Sequence, residues 1–180
     1  MRAATLAIVS LMLCLCFIGC GHRPDADLGH MHALWRQGEH QAALTEARAV
    51  IRRGAQANGV DPEDLKRRAS AIRDRLSTEP VPPADAAGVQ DDPRFTLGAG
   101  QLDGELQAAL AHPEAIVMIR SAITVGELKL KRHGLGLLAV IAHPGPVRLE
   151  RTDPNLESPT IAWLTSKQVA LDSLVQLATP

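Results

Sequence analysis

Two histidines stand in the same short setting. His112 and His143 each follow an alanine and precede a proline, in Ala111-His112-Pro113 and Ala142-His143-Pro144. An imidazole titrates near neutrality, so histidine is well suited to moving a proton or holding a metal. Proline drives the residue before it towards extended backbone, which puts both imidazoles at turns. They read as a degenerate repeat or as two ends of a cleft, against a default of solvated loop histidines. His30 and His32 flank Met31, near His22 and His40. Residues two apart on a helix face different sides, so a metal shared by His30 and His32 would require that stretch to be unfolded. Ser121, Ser158 and Ser166 lack the strand-to-helix elbow that presents a serine nucleophile. Gly98-Ala99-Gly100 lacks the remaining glycine and the preceding strand of a phosphate loop. Lys129, Lys131, Arg132 and His133 form a basic cluster, read as a solvated strand face or as a contact for an anionic head group. These spacings assign no catalytic, cofactor-binding or metal residue.

Cys20 carries a more definite chemistry. Met1-Arg2 opens the chain, and the apolar stretch from Ala3 to Ile18 follows without a charge. A basic start, an apolar core and a small residue before the cut describe a secretory signal peptide. Its sixteen residues fall short of the roughly 20 that a membrane-spanning helix needs. The four residues Phe17, Ile18, Gly19 and Cys20 close the stretch. They resemble the lipobox of bacterial lipoproteins, with Phe17 in place of the usual leucine. The resemblance implies cleavage after residue 19 and acylation of Cys20, with residues 20–24 as a lipidated tether. Each buried CH₂ contributes about 0.8 kcal/mol, so several acyl chains anchor firmly where one anchors weakly. Gly21 follows the cysteine. In lipoproteins of this kind an aspartate there favours retention in the inner membrane, so the resemblance implies the outer membrane where the organism has one. Cys14 and Cys16 lie in the signal core. The mature chain therefore keeps no free thiol and no disulfide, which suits an oxidising compartment.

Cleavage would leave 161 of the 180 residues, enough for one domain or two small ones. Arg2 is the one charge of the signal segment and the whole chain carries −1, so the mature chain carries −2. That is no nucleic-acid footprint. There is no tyrosine, and only Trp35, Trp163, Phe17 and Phe95 are aromatic. Stacking platforms for bases or sugars are hard to build from so few rings.

Residues 25–76 read as a helical module. Leu28, Met31, His32 and Trp35 recur at helical spacing, and Gly38 interrupts. Ala43, Leu44, Ala47, Val50 and Ile51 then mark one face of a second helix. Gly54, preceded by Arg52-Arg53, is expected to end it. Asp61-Pro62-Glu63-Asp64 is a helix start, with a cap, a proline in the first turn and acids at the positive end. Leu65, Ala69, Ile72 and Leu76 form the buried face of that third helix. The stretch Leu34 to Leu44, with Gly38 at the turn, His40, and Ala43 at the close approach, resembles a single tetratricopeptide hairpin. The repeat period is about 34 residues, and no second copy stands one period on. The resemblance implies a surface that docks a protein partner, with Trp35, Arg36 and Gln41 as its contact residues.

Residues 77–94 contain Pro80, Pro82, Pro83 and Pro93 with several acids, and are expected to be a linker. Residues 95–180 are expected to form a small α+β domain. Its strands are placed at Ala115 to Ile119, Glu127 to Lys131, Leu135 to Ala142 and Val147 to Arg151, on β-branched content and alternation. A helix ends near His112-Pro113, and Ser158-Pro159 opens the last one. The expected fold is therefore α+β, with a helical hairpin and third helix, a proline-rich linker and an α+β C-terminal domain. The expected function is that of a lipid-anchored, non-enzymatic envelope accessory or adaptor in assembly or secretion. It faces outside the cytoplasm, holds a protein partner and uses no cofactor. The alternative is a small-ligand or catalytic role for the C-terminal domain, using His112, His143 or the basic cluster.

Overall fold

A computed structural model describes residues 24–78, 99–149 and 153–180. Cys20 and the expected signal segment lie outside them, as do residues 79–94 of the expected linker. Seven α-helices run through the described residues: α1 (Pro24–Arg36), α2 (His40–Ala57), α3 (Pro62–Thr78), α4 (Ala99–Leu110), α5 (Ala115–Glu127), α6 (Gly134–Ala142) and α7 (Pro159–Ala178). A 3-10 turn at Lys131–His133 leads into α6.

The first three helices follow their local signals. Gly38 adopts φ +79° between α1 and α2, a conformation that glycine takes without a Cβ penalty. The Asp61 side chain accepts the Glu63 N–H at 3.1 Å and starts α3. The end of α2 differs from expectation. Gly54 lies inside the helix, which runs on to Ala57 and stops where Gly59 takes φ +67°. Gly54 is small for a different reason. A Cβ there would sit 3.4 Å from the Trp163 ring of α7.

The expected α+β C-terminal domain is overturned. Ala115 to Ile119 belongs to α5 and Leu135 to Ala142 to α6. The stretch Glu127 to Lys131 runs from the last residue of α5, through a turn with Lys129 at φ +50°, to the start of the 3-10 turn. Among the described residues the only β pairing is an isolated bridge between Glu114 and Arg148. Burial explains the difference. Every residue of α5 from Ala115 to Ile119 and from Ser121 to Gly126 is buried. A helix covered on nearly all sides needs no broad polar face, so few polar residues mark its turns in the sequence. What remains is an apolar, β-branched run, which reads like a strand.

Helix α7 is the centre of the assembly and packs against α2, α3, α5 and α6. Helix α1 packs on α2 and α6, and α4 on α5 and α6. One hydrophobic cluster joins residues from both sides of 77–94, including Ile51, Leu65 and Ile72 with Met118, Leu164 and Leu171. Helices α5 and α7 approach closely at Gly126, where a Cβ would fall 3.0 Å from the Ser173 hydroxyl. Buried hydroxyls here return their protons to the preceding turn of their own helix. Ser121 donates to Val117 O at 2.6 Å and Ser173 to Val169 O at 3.0 Å.

Candidate functional site

Among the described residues, polar groups and accessible space come together at two places in particular. The first lies at the end of α6. Pro144 forces His143 out of the helix, to φ −53° and ψ 129°, so the last carbonyls of α6 have no following turn to bond. Helix α7 supplies their partners. It is set by Ser158, whose hydroxyl accepts the Ile161 N–H at 3.3 Å, with Pro159 in its first turn. Trp163 and Lys167 are four apart on α7 and share one face. Trp163 Nε1 donates to His143 O at 2.7 Å. Lys167 Nζ donates to the same oxygen at 2.8 Å and also to Ile141 O. The ammonium also lies 4.5 Å from the Trp163 ring centroid, a cation–π distance.

Lys167 is 2% exposed, so this amine is held almost out of water. Burial pushes it down to about 7. His143 is held below its ordinary value, first by burial and then by the Lys167 charge. His143 Nδ1 accepts the Gly145 N–H at 2.9 Å. The neutral ring therefore carries its proton on Nε2. Beside these groups is a cavity of about 210 Å³, walled by Val50 and Gly54 of α2, Ala142, Pro144 and Trp163. A buried amine against a small apolar space can act as a nucleophile or a hydrogen-bond donor.

The second place is an open groove of about 500 Å³ between α2, α3 and α7. Its floor includes Ile51, Ala55, Leu65, Leu171 and Val175, and Arg48, Arg52 and Lys66 line it as exposed cations. Glu63 and Asp172 are its acids. Asp172 is already engaged, accepting from Gln168 Nε2 at 3.0 Å and from Arg73 at 3.3 Å. Burial raises its carboxyl above the ordinary range, against the opposing pull of those partners.

The residues singled out from sequence are scattered. Trp35 is turned inward. It stacks on His40 with ring centroids 4.3 Å apart, and it lies so close to α6 that a Cβ at Gly134 would fall 2.7 Å from its ring. Arg36 and Gln41 are exposed on either side of the Gly38 turn. His32 bonds the Leu135 carbonyl at 3.2 Å and so ties α1 to α6, while His30 is exposed. His112 repeats the local geometry of His143, its Nδ1 accepting the Glu114 N–H at 3.1 Å, but it lines neither site. In the basic cluster, Arg132 and His133 both meet Asp103, at 2.5 and 2.9 Å. Ser158 serves as a cap, and Ser166 donates to Trp163 O at 2.7 Å.

Sequence reasoning passed over Lys167 and Trp163. A usable signal existed: Lys167 and Asp172 are the only charges in the twenty residues of α7, and Lys167 stands four residues after a tryptophan. Comparison with protein-family models, curated proteins and solved structures finds no match to this chain.

Proposed function

We propose that this chain is a lipid-anchored, non-enzymatic accessory of the cell envelope, whose helical body docks a protein partner outside the cytoplasm. The observation that carries the reading is the groove between α2, α3 and α7. An apolar floor edged by Arg48, Arg52 and Lys66 is complementary to a segment with an apolar stripe flanked by carboxylates. Arg36 and Gln41, exposed at the Gly38 turn, offer a second contact. Trp35 is withdrawn from this role, because its ring is used between α1 and α6. Among the described residues no helix is long and apolar enough to cross a membrane. Attachment in this reading rests on acyl chains at Cys20.

The test has two arms. Labelled palmitate should enter the wild-type chain and be absent from Cys20→Ser, which should accumulate as a larger precursor. Site-specific crosslinkers at Arg48 and Lys66 should capture a membrane-associated partner. That capture should disappear in the triple variant Arg48→Glu, Arg52→Glu, Lys66→Glu while circular dichroism stays unchanged. If capture survives charge reversal and is lost instead in Arg36→Glu with Gln41→Glu, the docking face is the hairpin turn and not the groove. No label on the wild type removes the anchor, and no crosslinked partner at either face removes the adaptor role.

A further inference from the structure

We propose that Lys167 is a covalent acceptor for small apolar aldehydes, which enter the cavity beside it and condense with its amine to a Schiff base. This goes beyond the adaptor reading and rests on a separate part of the molecule.

The geometry narrows the ligand. The cavity walls are mainly apolar, from Val50, Ala142, Pro144 and Trp163, so a hydrocarbon body is favoured. A carboxylate beside Nζ would meet the carbonyl oxygens of Ile141 and His143, which are already aimed at that amine. A cation would meet the amine itself. A neutral carbonyl compound avoids both repulsions. Access lies along the rim, where Pro144 is exposed and Gly54, His143 and Trp163 are half-buried.

The chemistry balances with the aldehyde as sole co-reactant. The Lys167 lone pair attacks the carbonyl carbon, forming a C–N bond and a carbinolamine. Loss of water then breaks the C–O bond: both amine protons depart with the aldehyde oxygen, and a C=N bond remains. One proton taken up from solvent gives the iminium. The iminium keeps a single N–H, which suits donation to His143 O, at present 2.8 Å from Nζ. Its positive charge stays at the negative end of α6 and beside the Trp163 ring, where the ammonium sits now. Burial supplies the neutral amine that the attack requires, since it holds Lys167 at about 7. A surface lysine titrates near 10.4 and is almost wholly protonated at neutrality.

The test uses the full chain in detergent with butanal and cyanoborohydride near neutral pH, followed by peptide mass mapping. Lys167 should become butylated at least about ten-fold faster than Lys66, Lys129 and Lys131, because far more of its amine is neutral. Pyrene carboxaldehyde, too broad for the cavity, should label the three surface lysines and leave Lys167 unmodified. If butanal labels only the surface lysines, Lys167 is a helix cap and nothing more. If both aldehydes label Lys167 equally, the amine is reached by local opening and the cavity proposal fails. Gly54→Leu, which places a side chain in the cavity, should suppress labelling of Lys167 alone. Should that variant misfold, the comparison of the two aldehydes decides the question.

Discussion

The Lys167 ammonium donates to the His143 carbonyl oxygen across 2.8 Å, in a place where a lysine would ordinarily meet a carboxylate. The acceptors are neutral carbonyls at the end of α6. Their partial negative charge stabilises the cation but does not fully replace the water that the amine has lost.

That relationship predicts a pH dependence of stability. The folded amine titrates near 7 and the unfolded amine near 10.4, so between those values the unfolded chain binds more protons. Stability therefore rises with pH from about 7 towards 10 and is lower below 7. His143 is also lowered by burial and contributes a slope of the same sign, but in the range below its unfolded value of about 6.5. Urea unfolding above about pH 7.5 thus isolates Lys167. Lys167→Met should flatten the profile there, and an unchanged slope would assign it to another group.

Two glycines should be hard to replace. A Cβ at Gly145 would lie 2.7 Å from the Trp163 ring, and the residue sits at φ +59°. Gly145→Ala should cost about 2 kcal/mol or more, from backbone conformation and overpacking together. Gly134 has an ordinary helical φ, and only the Trp35 ring, also 2.7 Å away, opposes a Cβ. Gly134→Ala should therefore be largely rescued by Trp35→Leu, which removes the obstructing ring, while Gly145→Ala keeps its backbone strain whatever replaces Trp163. Thermal melts of the single and double variants check both statements.

Asp153 should matter more than a surface carboxylate. Its side chain is 3% exposed and meets Arg75 of α3 at 2.8 Å, while its Oδ1 accepts the Asn155 N–H at 2.9 Å. Asp153→Ala should lower the unfolding free energy by about 2 kcal/mol, the scale of a hydrogen bond to a charged group. A loss indistinguishable from that of the exposed Glu157→Ala would contradict this placement.

Thr165 offers the opposite sign. Its hydroxyl is buried and has no hydrogen-bond partner among the described residues. Thr165→Val keeps the branched shape and removes the unsatisfied group, so it should raise stability by about 1 kcal/mol. Chemical denaturation at constant m-value measures the gain.

The fold was legible where one side of a helix meets water. Ala43, Leu44, Ala47, Val50 and Ile51 are all buried on α2, in the face their spacing describes. The start signals at Asp61-Pro62 and Ser158-Pro159 operate as read. It was illegible in α5 and α6, where the sequence is almost wholly apolar and Ile116, Val117 and Ile119 suggest a strand. The lysine site was hidden for another reason. Its acceptors stand 24 and 26 residues before Lys167 in the chain. Nothing local marks a backbone carbonyl as the partner of a distant amine. The Ala-His-Pro tripeptides were rightly read as turns, but only the contact with α7 separates His143 from His112.

The central position of α7 bears on how the protein comes to be made. It follows every other described helix in the chain, yet it covers sides of α2, α3, α5 and α6. A growing polypeptide would expose those apolar sides from the moment each helix forms until the last twenty residues of α7 arrive. Such a chain stays short of its native core throughout synthesis. A stop codon before residue 159 would abolish the common core rather than trim its edge.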